Sequence, residues 1–303
     1  MNSNEFQQLI ADREEWFEVT QRNGFDFSPI LSGLYSDSSH FVYEILQNAE
    51  DAKAKSITFH LFDDRLEIEH DGIPFSFEDV QSITSIGKST KVEDITAIGK
   101  FGVGFKSVYA VTQSPTIRSG DFNFTIKNFV VPSINSDGQS HDRTTFILPF
   151  DHSSKPPEKT YALVKNRLEN LGLLTLLFLK NITRVIWQGG EYARSAVDTY
   201  KGIENTRRIK LSSANASEEY LVFERPVNLA DKELRVEIAY KLSSSDGNKE
   251  RIVHSTTSKL FVFLPTNEET YLQFLVQGPF RTTPARDNIP YENEKNKFLI
   301  REV

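Results

Sequence analysis

The stretch FVYEILQNAEDAKA, Phe41 to Ala54, constrains this chain more than any other. Its apolar residues recur at helical spacing, so one side of a helix is made to be buried. On an ideal helix, steps of four and seven residues turn the side chain by about 40° and about 20°, which places Glu44, Asn48 and Asp51 on one polar stripe. Taken alone, such a stripe is most often the solvated face of an amphipathic helix. Two carboxylates and a carboxamide together also suit a hard cation and a water. Asn48 can offer a carbonyl oxygen to Mg²⁺, and Glu44 can act as a general base on water.

A second motif changes the weighting. GKFGVGF, Gly99 to Phe105, is a G-x-x-G-x-G arrangement ahead of a helix-like segment, FGVGFKSVYAVT. Glycine allows close backbone approach, so successive N–H groups at a helix start can face phosphate oxygens. Two other nucleotide motifs are excluded. Gly87-Lys88-Ser89 imitates the end of a P-loop, but Ser82 stands where that loop needs glycine. The spacing of Gly99, Gly102 and Gly104 is reversed relative to the dinucleotide fingerprint.

The length of 303 residues predicts two domains. We place them at 1–155 and 156–303, divided in HSSKPPEK (His152 to Lys159), with a later boundary near Gly189-Gly190 as the alternative. The first holds an amphipathic helix from Asn4 and the helix of the opening stretch. It continues with the strands SITFHLF and RLEIEH around an Asp63-Asp64 turn, and with strands in DFNFTIKNFVV and RTTFILPF. Residues 76–98, polar and carrying Gly87, read as a cover over a site. The second domain opens with a helix from Tyr161 to Leu179 and is otherwise rich in strands.

With a net charge of −7, the surface is not built mainly to neutralise phosphates, and the short basic run TRRIK (Thr206 to Lys210) reads as a solvated strand edge. These features argue against direct nucleic-acid binding. The chain has no cysteine, hence no disulfide and no thiolate metal site. Residues 1–30 do not form a secretory signal, and LGLLTLLFL from Leu171 is too short to span a bilayer, so a cytoplasmic location without membrane attachment is expected.

Taken in order, E-x-x-x-N-A-x-D-A (Glu44 to Ala52), Asp71-Gly72, G-x-x-G-x-G (Gly99 to Gly104) and Thr144-Thr145-Phe146 resemble the GHKL ATPase superfamily. The wording YSDSSHFVYEILQNAEDA, HDGIPFS and IGKFGVGFKSVY is most similar to its sacsin-type branch, related to the heat-shock-ninety chaperones. The resemblance implies an α+β chain with a Bergerat-type α/β sandwich, a mixed sheet with helices on one face, followed by a transducer-like strand-rich α/β domain. It implies a slow ATPase using ATP and Mg²⁺, with lid closure and homodimerisation on ATP binding.

By motif, Glu44 is the general base and Asn48 the Mg²⁺ ligand. Nucleotide contacts fall to Asp51, Ala52, His70, Asp71, Gly72, Ile73, Lys88, Gly99, Lys100, Phe101, Gly102, Val103, Gly104, Phe105 and Thr144. Asp51 is expected to orient the site from its edge.

Families with D-x-G place an aspartate where this chain has His70, with Asp71 one residue late, so either residue is a candidate to read the base. In the loop QGPFRTTPARDNIP, Arg286, or second Arg281, is expected to reach the terminal phosphate.

Two alternatives remain open. One is an ATP-sensing interaction module with little hydrolysis. The other, a histidine kinase, finds no helical histidine beside an acidic residue; His152 follows Asp151 in a loop. The charged ending at Val303 suggests a longer polypeptide with an effector or partner, in chaperone-like work or bacterial defence.

Overall fold

The computed structural model describes residues 3–24, 40–85, 104–135, 138–229, 232–245, 249–283 and 288–303. It is α+β, with many strands and few helices. The chain forms two compact units, Met1–Asn170 with Ile186–Gly189, and Leu171–Val185 with Gly190–Val303. No helix among the described residues is long and apolar enough to cross a membrane.

In the first unit, helix α1 (Ser3–Arg22) buries Phe6 and Leu9 and sets the Phe6 ring 5.9 Å from that of Phe124. Helix α2 (Phe41–Asp51) follows the expected periodicity, with Phe41, Val42, Ile45, Leu46 and Ala49 wholly buried. The hairpin β1 (Ser56–Leu61) and β2 (Arg65–His70) turns at the expected Asp63-Asp64, where the Phe62 amide donates to Arg65 O at 2.9 Å. Alternation along β2 buries Leu66, Ile68 and His70, the face against the core. The remaining strands are β3 (Thr116–Gly120), β4 (Phe122–Lys127), β5 (Val131–Ile134) and β6 (His141–Pro149). The sheet order is β1-β2-β6-β3-β4-β5, antiparallel at each pairing.

The expected cover from Ser76 begins as helix α3 (Phe77–Ile83). Ser76 and Asp79 form a reciprocal capping box, and Val80 and Ile83 are buried, so this part is anchored. Ser82 lies within it. Residues 86–98 of the expected cover lie outside the described residues.

The helix expected over 161–179 is shorter and starts earlier: α4 runs Pro157–Glu169. Asn170 caps the helix, and Gly172, at φ 74° and ψ 158°, leads into a separate 3-10 turn over Leu173–Leu176. Strand β7 (Arg184–Trp187) straddles the division between units.

The second unit orders its strands β8 (Gly190–Asp198), β9 (Thr206–Ser212), β10 (Ser217–Leu229), β11 (Lys232–Ser245), β15 (Leu275–Gln277), β13 (Lys259–Val262) and β14 (Leu264–Glu269), with β12 (Lys249–Val253) also on β11. The β13–β15 pair is parallel and gives the sheet its mixed character. Helix α5 (Glu294–Glu302) closes the chain.

TRRIK is not a strand edge, because β9 pairs with both β8 and β10. Its charges are carried by cross-strand partners. Arg207 pairs with Glu224 at 2.9 Å and with the buried Glu237; Arg208 pairs with Glu219 and, at 2.5 Å, with Glu250.

Candidate functional site

Helix α2 carries the site. Along α2 and its C-cap, Glu44, Asn48 and Ala52 advance one turn at a time, and Glu44 and Ala52 each meet a glycine from a different motif. At the first end, a Cβ on Gly104 would lie 3.2 Å from Cδ of Glu44 and closer still to Oε2. The Glu44 carboxylate, in a residue 8% exposed, therefore lies directly on the Gly104 backbone. At the other end, Ile73 donates its amide to Ala52 O at 2.7 Å, and a Cβ on Gly72 would stand 2.7 Å from that same oxygen.

Between these contacts Asn48 is half-buried, and among the described residues its carboxamide makes no hydrogen bond. Asp51 and Ala52 are half-buried and Ile73 is exposed. Sequence reasoning linked the helix motif to the glycine loop through chemistry; the structure brings Gly104 and Gly72 to opposite ends of one helical stripe.

Gly104 opens a 3-10 helix, Gly104–Ala110, rather than an α-helix. Phe105 beside it is buried, with its ring 5.7 Å from Phe146 of β6, so its side chain serves the core and only its backbone is left for a ligand. Phe146 also meets His70 and Phe75, each at 6.1 Å. These aromatic contacts hold the glycine turn against the sheet.

His70 is 1% exposed, and its Nδ1 accepts from the Gly72 amide at 3.2 Å. Burial, opposed by the charge of Asp71, lowers its pKa to about 4. Neutral His70 is thus protonated on Nε2, where it can donate but not accept. Asp71 is exposed and its carboxylate is occupied. Oδ1 accepts from the Lys55 and Ser56 amides at 2.7 and 2.9 Å, and Oδ2 from Ser56 Oγ at 2.9 Å. Burial pushes the Asp71 pKa up, but the hydrogen bonds from Ser56 and Lys55 outweigh it and leave the group below its ordinary value.

Thr144 is fully buried and stands opposite His70 in the β2–β6 register. Its Oγ1 lies 2.5 Å from Ser119 Oγ, which accepts from the Phe75 amide at 2.9 Å. Ser119 has no signal in the sequence, since a serine on a strand is unremarkable until its cross-strand neighbour is known. His40 was also missed; its Nδ1 is 3.7 Å from Glu44 Oε1, a pair signalled by the four-residue spacing alone.

Lys88, Gly99, Lys100, Phe101, Gly102, Val103 and Arg286 lie outside the described residues. Arg281 belongs to the second unit, where its amide and carbonyl are held by the buried Asn296 at 2.7 and 2.9 Å and its side chain is exposed. His152 Nδ1 accepts from the Ser154 amide at 3.2 Å, as a turn residue does. Among the described residues no three His, Asp or Glu side chains gather as a metal site.

Residues 27–157 match the sacsin domain. Over this stretch the chain is sacsin-like. The stretch contains α2, both site glycines and Thr144. The chain is also similar to Protein NO VEIN of Arabidopsis thaliana, 25% identical over 306 residues that cover 89% of this chain and 11% of the relative. Human sacsin is 34% identical over 108 residues, covering 30% of this chain and 2% of sacsin. The chain therefore spans a small part of both relatives' lengths.

Proposed function

We propose that the first unit is a Bergerat-type module of the GHKL class that binds ATP with Mg²⁺ and hydrolyses it slowly. The observation that carries this reading is the stripe along α2 and its C-cap, which sets a carboxylate against one glycine turn and a backbone carbonyl against another, with a carboxamide between them that makes no hydrogen bond among the described residues.

Asn48 fits a hard cation. Its oxygen is half-buried and uncommitted among the described residues, and it offers one protein ligand to an ion that takes most of its shell from water and phosphate. Mg²⁺, when bound, neutralises charge on the phosphate oxygens. Glu44 takes the proton of the attacking water while that oxygen bonds to the terminal phosphorus and the bond to the leaving diphosphate breaks. The Gly104 turn offers backbone N–H groups at a helix start.

Base recognition falls to the His70–Thr144 pair rather than to Asp71, whose oxygens are committed to Lys55 and Ser56. Lid closure, homodimerisation on ATP binding, a chaperone-like or defence role and a cytoplasmic location belong to the same proposal.

A calorimetric titration with Mg-ATP tests the reading. Wild type should bind with one site per chain, Asn48→Ala should weaken binding only when Mg²⁺ is present, and no heat from wild type would end the proposal. An ATP sensor with little turnover is the second reading, in keeping with the small share of its relatives' lengths that this chain spans. Tight Mg-ATP binding without phosphate release would select it.

A further inference from the structure

His70 ends β2 on the buried face of the sheet, 1% exposed, and its ring is fixed by the turn that follows it. The Gly72 amide donates to Nδ1 at 3.2 Å. A ring nitrogen that accepts carries no proton, so the one proton of the neutral imidazole sits on Nε2. Burial, which lowers the pKa far below neutrality, keeps the ring in that state at pH 7. Nε2–H is therefore a fixed donor, and among the described residues it meets no acceptor. A buried donor without a partner costs the fold free energy, which an acceptor on a bound ligand would offset.

No carboxylate beside His70 is left to accept in its place. Glu69 is engaged by Arg143, and Asp71 by Lys55 and Ser56. Opposite His70, Thr144 shares a hydrogen bond with Ser119, which also accepts from the Phe75 amide. Their hydroxyls can donate or accept, so that pair does not choose between base edges. His70 does choose. At carbon 6 of a purine, adenine presents an amino group, a donor, whereas guanine and hypoxanthine present a carbonyl oxygen, an acceptor. A donor set against a donor leaves both N–H groups unpaired away from water, and a donor set against the oxygen satisfies both.

Building on the reading of this unit as a nucleotide site with its base at the His70–Thr144 pair, we propose that the site reads an acceptor at carbon 6. A 6-oxopurine nucleoside triphosphate, GTP or ITP, is then taken at least as well as ATP. The roles of Glu44 and Asn48 toward phosphate and metal are the same for either base.

Calorimetric titrations of the whole chain at neutral pH with the Mg²⁺ complexes of ATP, GTP, ITP and purine riboside triphosphate, which carries only hydrogen at carbon 6, make the test. GTP and ITP should bind at least as tightly as ATP, and ITP at least threefold more tightly than the purine riboside nucleotide, which offers His70 nothing there. His70→Asp, which puts an acceptor in place of the donor, should shift the ratio of ATP to GTP dissociation constants at least tenfold in favour of ATP. ATP binding tenfold or more tighter than both GTP and ITP in wild type would overturn the proposal and leave the nucleotide site standing. A ratio unchanged in His70→Asp would overturn it too. If His70→Asp does not fold, the four nucleotides on wild type decide by themselves. No binding of any of the four would instead defeat the reading of the site, and the base selectivity with it.

Discussion

The carboxylate of Glu44 occupies the space that a side chain at Gly104 would need, so the helix motif and the last glycine of the loop motif form one object. Gly104→Ala should push aside the flexible end of Glu44 at small cost to the fold. Its melting temperature should fall by only a few degrees, while phosphate release drops at least tenfold, because the displaced group is the proposed base.

Gly72→Ala makes a contrasting case. Its Cβ meets the carbonyl oxygen and Cβ of Ala52 at 2.7 and 2.9 Å, and backbone cannot swing away as a glutamate tip can. We expect a loss of about 1–3 kcal/mol in denaturant unfolding, more than for Gly104→Ala. Equal losses for the two would show that the α2 carbonyl yields as easily as a side chain.

His70 gives the fold an acid sensitivity. Its folded pKa of about 4 lies below its unfolded value of 6.5, so between these values the unfolded chain holds a proton that the folded one refuses. Stability should be intact above pH 6.5 and fall as pH drops toward 4, by about 3 kcal/mol in all from this group. In His70→Gln, urea midpoints measured from pH 7 to 4 should lose much of that slope.

Lys106 acts at the other end of the scale. It is 1% exposed, donates to Ile83 O at 2.7 Å and Phe129 O at 2.6 Å, and has the Tyr109 ring centroid 5.7 Å away. Burial, with a smaller push from Arg13, lowers its pKa to about 7 from 10.5. Between those values the unfolded state binds the extra proton, so stability should rise as pH climbs from 7 to 10.5. Lys106→Met should flatten that rise in thermal melts.

In the second unit, Arg207 holds the carboxylate of Glu237, a residue 3% exposed whose pKa is raised by burial against the pull of Arg207. Arg207→Ala should cost about 3–5 kcal/mol by stranding that charge. Adding Glu237→Gln should restore part of the loss, and a double variant no better than the single one would contradict this account of the pair.

What the sequence showed and what it hid divide along physical lines. The β1–β2 hairpin and β6 follow from periodicity because each buries one face, and α2 keeps its apolar helical spacing although its polar Glu44, Gln47 and Glu50 are buried as well. Helix α4 was misjudged because the apolar run after Leu171 continues the pattern of burial while Gly172 breaks the backbone. TRRIK looked like an edge because its charges, counted along the chain, lack the glutamates that β10, β11 and β12 bring across the sheet. At the site, Glu44, Asn48 and Gly104 were legible as residue types in known spacing. Their neighbours His40 and Ser119 were not, since each acquires meaning only from a partner whose distance the sequence does not state.

The central claim is that Glu44 is the general base of an ATP-hydrolysing site, and phosphate release by wild type and Glu44→Ala in the presence of Mg-ATP tests it most directly. We expect Glu44→Ala to retain nucleotide binding within a few-fold and to lose turnover by about a hundredfold or more. Turnover equal to wild type in Glu44→Ala would contradict the account.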